Sequence, residues 1–235
     1  MIDIVIDTET TGLDESDCQI VSIGWAFRSS KNPNQIISGN LFIRPDVERL
    51  ELQSKHQLNE ALAITGLTMD QITDIDNVPY YNAITRLRGM INQQIREHCD
   101  EWDGIRFLAY NRAFDYKFIR TLPKSDWITN RMPAYLFEEE VCDHYASHDY
   151  GQHNCGCNRK DACIMMRASE RWGVWSDYFG SYRWLRLVDA LGYTIDKESD
   201  DSAGEPYNIR VQNAHNSEAD AEMALIVHEH LERIA

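Results

Sequence analysis

Three Ile- and Val-rich runs crowd the start of the chain, with no helical spacing of apolar residues between them. The first, Met1 to Asp7, breaks at Thr10-Thr11-Gly12; Gln19 to Phe27 is the second; Gln35 to Arg44 follows a polar stretch of Lys31, Asn32, Pro33 and Asn34. Short β-branched and aromatic runs bounded by turn formers read as strands, so a meander of three strands is expected. Helical spacing begins at Pro79, where Tyr80, Ile84, Leu87, Ile91 and Ile95 recur at the period of one helix face, and Pro79 suits the first turn. Arg106 to Tyr110 reads as a buried strand, and Phe114, Phe118 and Leu122 as a helix stopped by Pro123. Further helices are expected over Ala162 to Trp172, over Tyr182 to Leu191, and from about Ser217 to Ile234. This order describes a mixed α/β or α+β layer fold.

A chain of 235 residues suits one core with additions. A single domain over 1–235 is therefore expected, with 126–160, which shows no sustained period, as an insertion or irregular subregion. No window approaches the roughly 18 consecutive apolar residues of a membrane span, and the opening MIDIVID carries acids where a signal peptide carries basic residues. A soluble, cytoplasmic protein is the expectation. The 38 acidic against 23 basic residues give a net charge of −15, which argues against a broad basic face on duplex nucleic acid. Bound divalent cations can still supply positive charge locally.

Certain carboxylates stand where a core is expected. On a strand Asp7 and Glu9 share a face, opposite Ile4, Ile6 and Thr8, at a spacing of roughly 6 to 7 Å. Asp115 shares a helical stripe with Ile119 and Leu122, and Asp220 one with Ala224, Val227 and Leu231. An isolated buried carboxylate is costly and needs a partner. Arg112 or Arg120 can serve Asp115, and the Ser217/Asp220 pair fits a helix-capping pattern. The alternative is a shared site for hard divalent cations, which take oxygen ligands. Two such ions about 3.5 to 4 Å apart stabilise the attacking and leaving oxygens of a phosphoryl displacement. His215, just outside the last helix, is then placed as a general base for water.

The segments carrying these residues resemble the DEDDh 3′–5′ exonucleases, the proofreading-exonuclease-like group. Ile4-Val5-Ile6-Asp7-Thr8-Glu9-Thr10-Thr11-Gly12-Leu13 is similar to the family's D-x-E-T-T-G motif, Leu108 to Asp115 (LAYNRAFD) to its second motif, and Ala214 to Asp220 (AHNSEAD) to its third, H-x4-D. Ile64-Thr65-Gly66-Leu67-Thr68 resembles a short segment common between the first two. Ser217 stands where the family usually has Ala. The resemblance implies a ribonuclease H-like mixed sheet flanked by helices, and stepwise release of 5′-nucleoside monophosphates from 3′ ends. It implies two Mg²⁺ or Mn²⁺ ions on Asp7, Glu9, Asp115 and Asp220, with His215 activating the water. It places Thr10, Gly12 and Leu13 against the terminal nucleotide, and Asn111 and Phe114 beside the scissile end. Single-stranded DNA ends are the favoured substrate over RNA, an RNA-trimming or oligoribonucleotide-degrading enzyme being the nearest rival. A polymerase or another replication or repair protein is an admissible partner.

Cys142, His144, His148, His153, Cys155, Cys157 and Cys163 make the stretch from 138 to 160 and just beyond longer and richer in Cys and His than the family pattern. Free thiols and solvated imidazoles are one reading; a structural Zn²⁺ on Cys142, Cys155, Cys157 and Cys163, or a His substitute, is the other. A non-catalytic, zinc-stabilised nucleic-acid or protein-binding module is the corresponding rival function. Trp172, Trp175, Tyr178, Phe179, Tyr182 and Trp184 either fill a core or stack on bases. Arg112, Lys117, Arg120 and Lys124 either track phosphates or form a solvated face.

Overall fold

The computed structural model describes residues 2–100, 105–123, 163–178, 180–196 and 215–234. The three expected strands form as β1 (Ile2–Thr10), β2 (Ile20–Arg28) and β3 (Ile36–Arg44). A two-residue β4 (Val78–Pro79) and β5 (Ile105–Ala109) complete a five-stranded sheet in the order β4-β3-β2-β1-β5. The β1–β2 and β2–β3 pairs are antiparallel, while β5 joins β1 in parallel. The sheet is mixed, as expected.

Between Arg44 and Pro79 the apolar spacing predicts no element, yet three short helices form: α1 (Val47–Leu52), α2 (Lys55–Thr65) and α3 (Met69–Ile72). Their ends define them. The Asp46 carboxylate accepts the Glu48 and Arg49 N–H groups, Gly66 closes α2 at φ 68°, and Thr68 with Gln71 opens α3 as a capping box. Pro79 sits ahead of a 3₁₀ turn (Tyr80–Asn82), so α4 runs only from Ala83 to His98. Next come α5 (Arg112–Ile119) and α6 (Ile164–Trp172). The helix expected over Tyr182 to Leu191 needs correction: Trp175–Ser176 and Ser181–Tyr182 pair as a hairpin, β6 and β7, and α7 covers Leu187–Asp196. Of that span only Tyr182 lies in β7, and its pairing with Trp175 across the turn at Gly180, where φ is 61°, is a contact that no local period announces. The last helix, α8, spans Ser217–Ile234 as expected.

Alternation along β1 sends Ile4 and Ile6 to one face and Val5 to the other. Ile4, Ile6, Trp25 and Phe27 pack with Leu87, Ile91 and Ile95 of α4 and Phe118 of α5. Val5 and Ala26 pack with Ile164 and Ala168 of α6, Leu191 of α7, and Ala221, Ala224 and Val227 of α8. Each such large side chain contributes about 1.5–3 kcal/mol on burial.

Two devices seat α8 on the sheet. At its start, backbone meets backbone: a Cβ on Gly24 would lie 2.0 Å from the Ser217 carbonyl carbon and oxygen. Beside that contact the Ser217 hydroxyl is 2.6 Å from the Ser22 hydroxyl and donates to the Asn40 side-chain oxygen at 3.1 Å. Further along, Asp3 accepts both Arg106 nitrogens at 2.7 and 2.6 Å and lies 2.9 Å from buried His228, joining β1, β5 and α8.

Candidate active site

The C-terminal half of β1 carries Asp7 and Glu9 on the face that α8 covers. A register shift follows: Glu9 pairs with Ser22 and Thr10 with Ile20, which skips Val21 and bends the strand end where the carboxylates emerge. From α8, Asp220 joins them, and Asp7, Glu9 and Asp220 each offer an oxygen within 4.8 Å of the others. That grouping would suit a shared cation better than three separate solvated acids.

Asp115 stands beside this trio rather than in it. It is only 2% exposed, and its Oδ1 accepts the Thr8 N–H at 2.9 Å and the Thr8 hydroxyl at 2.8 Å. The cation partner expected from Arg112 or Arg120 is not what balances it: both guanidinium groups lie over the Tyr116 ring, at 5.6 Å. Thr8 is a partner that the sequence reading placed only as a core residue.

Burial, then the charges of Asp115, Asp220 and Glu9, raises Asp7 well above the usual carboxylate range. Burial and the neighbouring Asp220 and Asp115 push Glu9 up to about 8. Burial takes Asp115 to about 7 against the pull of the Thr8 hydrogen bonds, and Asp220 to about 6 against the His215 N–H. Such mutual repulsion in a desolvated place is relieved by a bound cation. One observation bears on the fit directly: Asp220 Oδ1 is buried and has no hydrogen-bond partner. The donor set is oxygen only, which suits hard divalent cations.

His215 lies exposed at the entry to α8, in the left-handed region at φ 69°, and donates its backbone N–H to Asp220 Oδ2 at 3.1 Å. A non-glycine residue in that region is uncommon, and such strain concentrates at functional positions. The helix is capped by Asn216, whose side-chain oxygen accepts the Glu218 and Ala219 N–H groups at 3.1 and 3.4 Å. That corrects the Ser217 capping pattern, since the Ser217 hydroxyl is spent on Ser22 and Asn40.

The loop after β1 closes the opposite side. Thr10 is buried and its hydroxyl donates to the Gly12 carbonyl at 2.6 Å, while Gly12 faces inward, where a Cβ would meet Cys18 Sγ at 2.6 Å. Leu13 projects, 80% exposed, and its carbonyl accepts the Lys117 ammonium at 2.6 Å. Lys117 also pairs with Glu15 and lies over Phe114 at 5.4 Å, so this lysine fastens the loop to α5. Asn111, half-buried, precedes α5, and its carbonyl accepts the Phe114 and Asp115 N–H groups. Cys163, from the expected zinc set, lies in apolar surroundings with its thiol on the Tyr110 carbonyl, and burial raises its pKa. Cys142, Cys155 and Cys157, the other members, lie outside the described residues, as do the expected insertion at 126–160 and Lys124. No helix among the described residues is long and apolar enough to cross a membrane.

No protein-family model matches the sequence, and no curated protein does. Solved structures do. E. coli exonuclease I in its zinc-bound complex with single-stranded DNA is 16% identical, with a TM-score of 0.53 over 99% of this chain and 40% of that one. A complex of the same enzyme with a dA16 oligonucleotide gives 17% and 0.52 over 99% and 41%. A further exonuclease I structure gives 18% and 0.52 over 99% and 41%. The chain thus spans about two-fifths of those proteins and shares their ribonuclease H-like mixed α/β fold.

Proposed function

We propose that this chain is a metal-dependent 3′–5′ exonuclease of the DEDDh family, acting on single-stranded DNA ends as one domain. The convergence of Asp7, Glu9 and Asp220 within 4.8 Å, with Asp115 alongside and an unpartnered Asp220 oxygen among them, carries the reading. The solved relatives in complex with single-stranded DNA support the choice of substrate class.

In this reading Asp7, Glu9, Asp115 and Asp220 hold two Mg²⁺ or Mn²⁺ ions. Bound there, such ions neutralise the phosphodiester and lower the barrier to attack by water. The chain's own groups do the rest. His215, exposed at the entry to α8 with its backbone N–H on Asp220, takes the proton of the attacking water as general base. Thr8 holds Asp115 by two donors, both on Oδ1, and leaves Oδ2 outside those bonds for a cation. Leu13 and Phe114 flank the terminal base, and Asn111 and the Thr10–Gly12 backbone orient the last nucleotide. Water attacks phosphorus, the P–O3′ bond breaks, and a 5′-monophosphate leaves with the proton going to the released 3′ oxygen.

The test is product analysis of 5′-labelled single-stranded DNA, with an RNA of equal sequence, in Mg²⁺, Mn²⁺ or EDTA. A metal-dependent ladder shortening from the 3′ end, absent from Asp7→Ala, is expected, with DNA degraded faster. A ladder on RNA alone replaces the substrate, and cleavage of neither by the metal-loaded protein removes the reading.

A further inference from the structure

The aromatic run between α6 and α7 divides in the structure. Trp172 turns inward and stacks on Tyr193 at 5.8 Å. The β6–β7 hairpin does the reverse: Trp175 is 52%, Tyr178 90%, Tyr182 38% and Trp184 61% exposed. Trp175 and Tyr182 meet edge to face at 5.2 Å across the ladder. Several large exposed aromatics concentrated on one short segment mark a binding site more often than scattered ones do.

The hairpin is held firmly. At its base Gly173 N–H bonds the Ser169 carbonyl at 2.8 Å, Leu185 N–H bonds the Ser169 hydroxyl at 3.0 Å, and Arg183 N–H bonds the Val174 carbonyl at 2.9 Å. A Cβ on Gly173 would lie 3.1 Å from the Arg183 carbonyl oxygen, so the return strand lies tight on the end of α6. The Tyr110 hydroxyl then donates to the Leu185 carbonyl at 2.7 Å. Tyr110 directly precedes Asn111, and Cys163 extends the β5 edge in a parallel bridge with Ala109. The hairpin therefore hangs from the same sheet edge that delivers Asn111 and Asp115.

Local charge admits a phosphate-bearing occupant. Residues 170–189 hold three Arg against Glu170, Asp177 and Asp189, so this stretch is neutral in a chain whose net charge is −15. Arg171 and Arg183 are exposed at the two ends of the hairpin, while Arg186 is paired with Asp189 at 2.8 Å. Flat π-faces interleaved with guanidinium groups suit unpaired bases joined by phosphates. We propose that Trp175, Tyr178, Tyr182 and Trp184 are a stacking platform for the unpaired bases that lie 5′ of the reacting end. The proposal rests on the nuclease reading for the direction in which the strand runs; the binding it asserts is measured without turnover.

The test is fluorescence anisotropy with Ca²⁺ in place of the working metal, using labelled oligothymidylates of about 15 and about three nucleotides. From about 1–3 kcal/mol per stacked base, loss of two rings in Trp175→Ala/Trp184→Ala weakens the long oligomer by at least about 30-fold and leaves the short one unchanged. Trp175→Phe/Trp184→Phe keeps most of the affinity, because a ring remains to stack. Equal affinity of the Ala variant and wild type for the long oligomer overturns the platform and assigns the patch to a protein partner. Equal loss on both lengths, or a wild type that binds both lengths alike, overturns it too. Length-dependent binding lost in the Ala variant, from a wild type that shortens no strand, would uphold the platform while removing the nuclease reading.

Discussion

Gly24→Ala tests whether the sheet sets the position of α8. An added Cβ lies 2.0 Å from the Ser217 carbonyl group and 2.3 Å from the Glu218 nitrogen, all backbone atoms with no side chain to swing aside. Reaching the roughly 3.5 Å of ordinary carbon contact requires the start of α8 to lift by about 1.5 Å. Overpacking of this kind costs about 1–3 kcal/mol. The lift also stretches the Ser22–Ser217 and Ser217–Asn40 contacts, each worth about 1 kcal/mol. A loss near 3 kcal/mol lowers Tm by about 6–12 °C in a chain of this size. Asp220 lies one turn beyond Ser217 and moves with it, and a displacement of about 1 Å at a reacting centre removes roughly 100-fold in rate. Gly39→Ala is the control. Its Cβ meets only the Trp25 ring, at 2.5 Å, on the opposite face of the sheet. The control should lose stability while keeping Mn²⁺ affinity and per-molecule activity, whereas Gly24→Ala loses all three. Thermal unfolding, Mn²⁺ titration and single-strand degradation read the difference. Wild-type affinity and rate in folded Gly24→Ala would refute the claim that this contact sets the site.

Two further predictions concern the carboxylates. Glu9 near 8, Asp115 near 7 and Asp220 near 6 all stand above their unfolded values of about 4. Between about pH 4 and 8 the metal-free fold binds more protons than the unfolded chain, so its stability falls as pH rises. Added Mn²⁺ holds these groups ionised, and its Tm increment should grow from pH 5.5 to 8; a flat or shrinking increment contradicts the shared site. Thr8→Val removes one donor from Asp115 and keeps the backbone one, at the 1.5–3 kcal/mol of a hydrogen bond to a charged group, or about 10- to 100-fold in Mn²⁺ affinity at pH 7. Part of that loss should return at pH 9, where Asp115 is ionised without help, and calorimetric titration at the two pH values decides.

Four of the five strands were legible because their signals are local, whereas the two-residue β4 lies where Pro79 reads as the first turn of a helix. Ile and Val alternate along β1, and the period over Leu87, Ile91 and Ile95 belongs to one helix face. Asp7, Glu9, Asp115 and Asp220 stood out because carboxylates on apolar stripes are expensive unless something shares them. Local period could not show which elements face one another. Helices α1 to α3 are set by caps, and the β6–β7 hairpin by a pairing between separated residues that no local period announces.

Gly24 was the most informative signal left unused. A glycine inside the run QIVSIGWAF weakens a strand unless another backbone must come close, and here that backbone is the first turn of α8. Ser22, two residues away on the same face, bonds to Ser217. The Ser at the family's usual Ala position is therefore the other half of a contact already written into β2. The departure from the motif and the glycine in the strand have one physical cause: α8 is clamped at the height where Asp220 reaches Asp7 and Glu9.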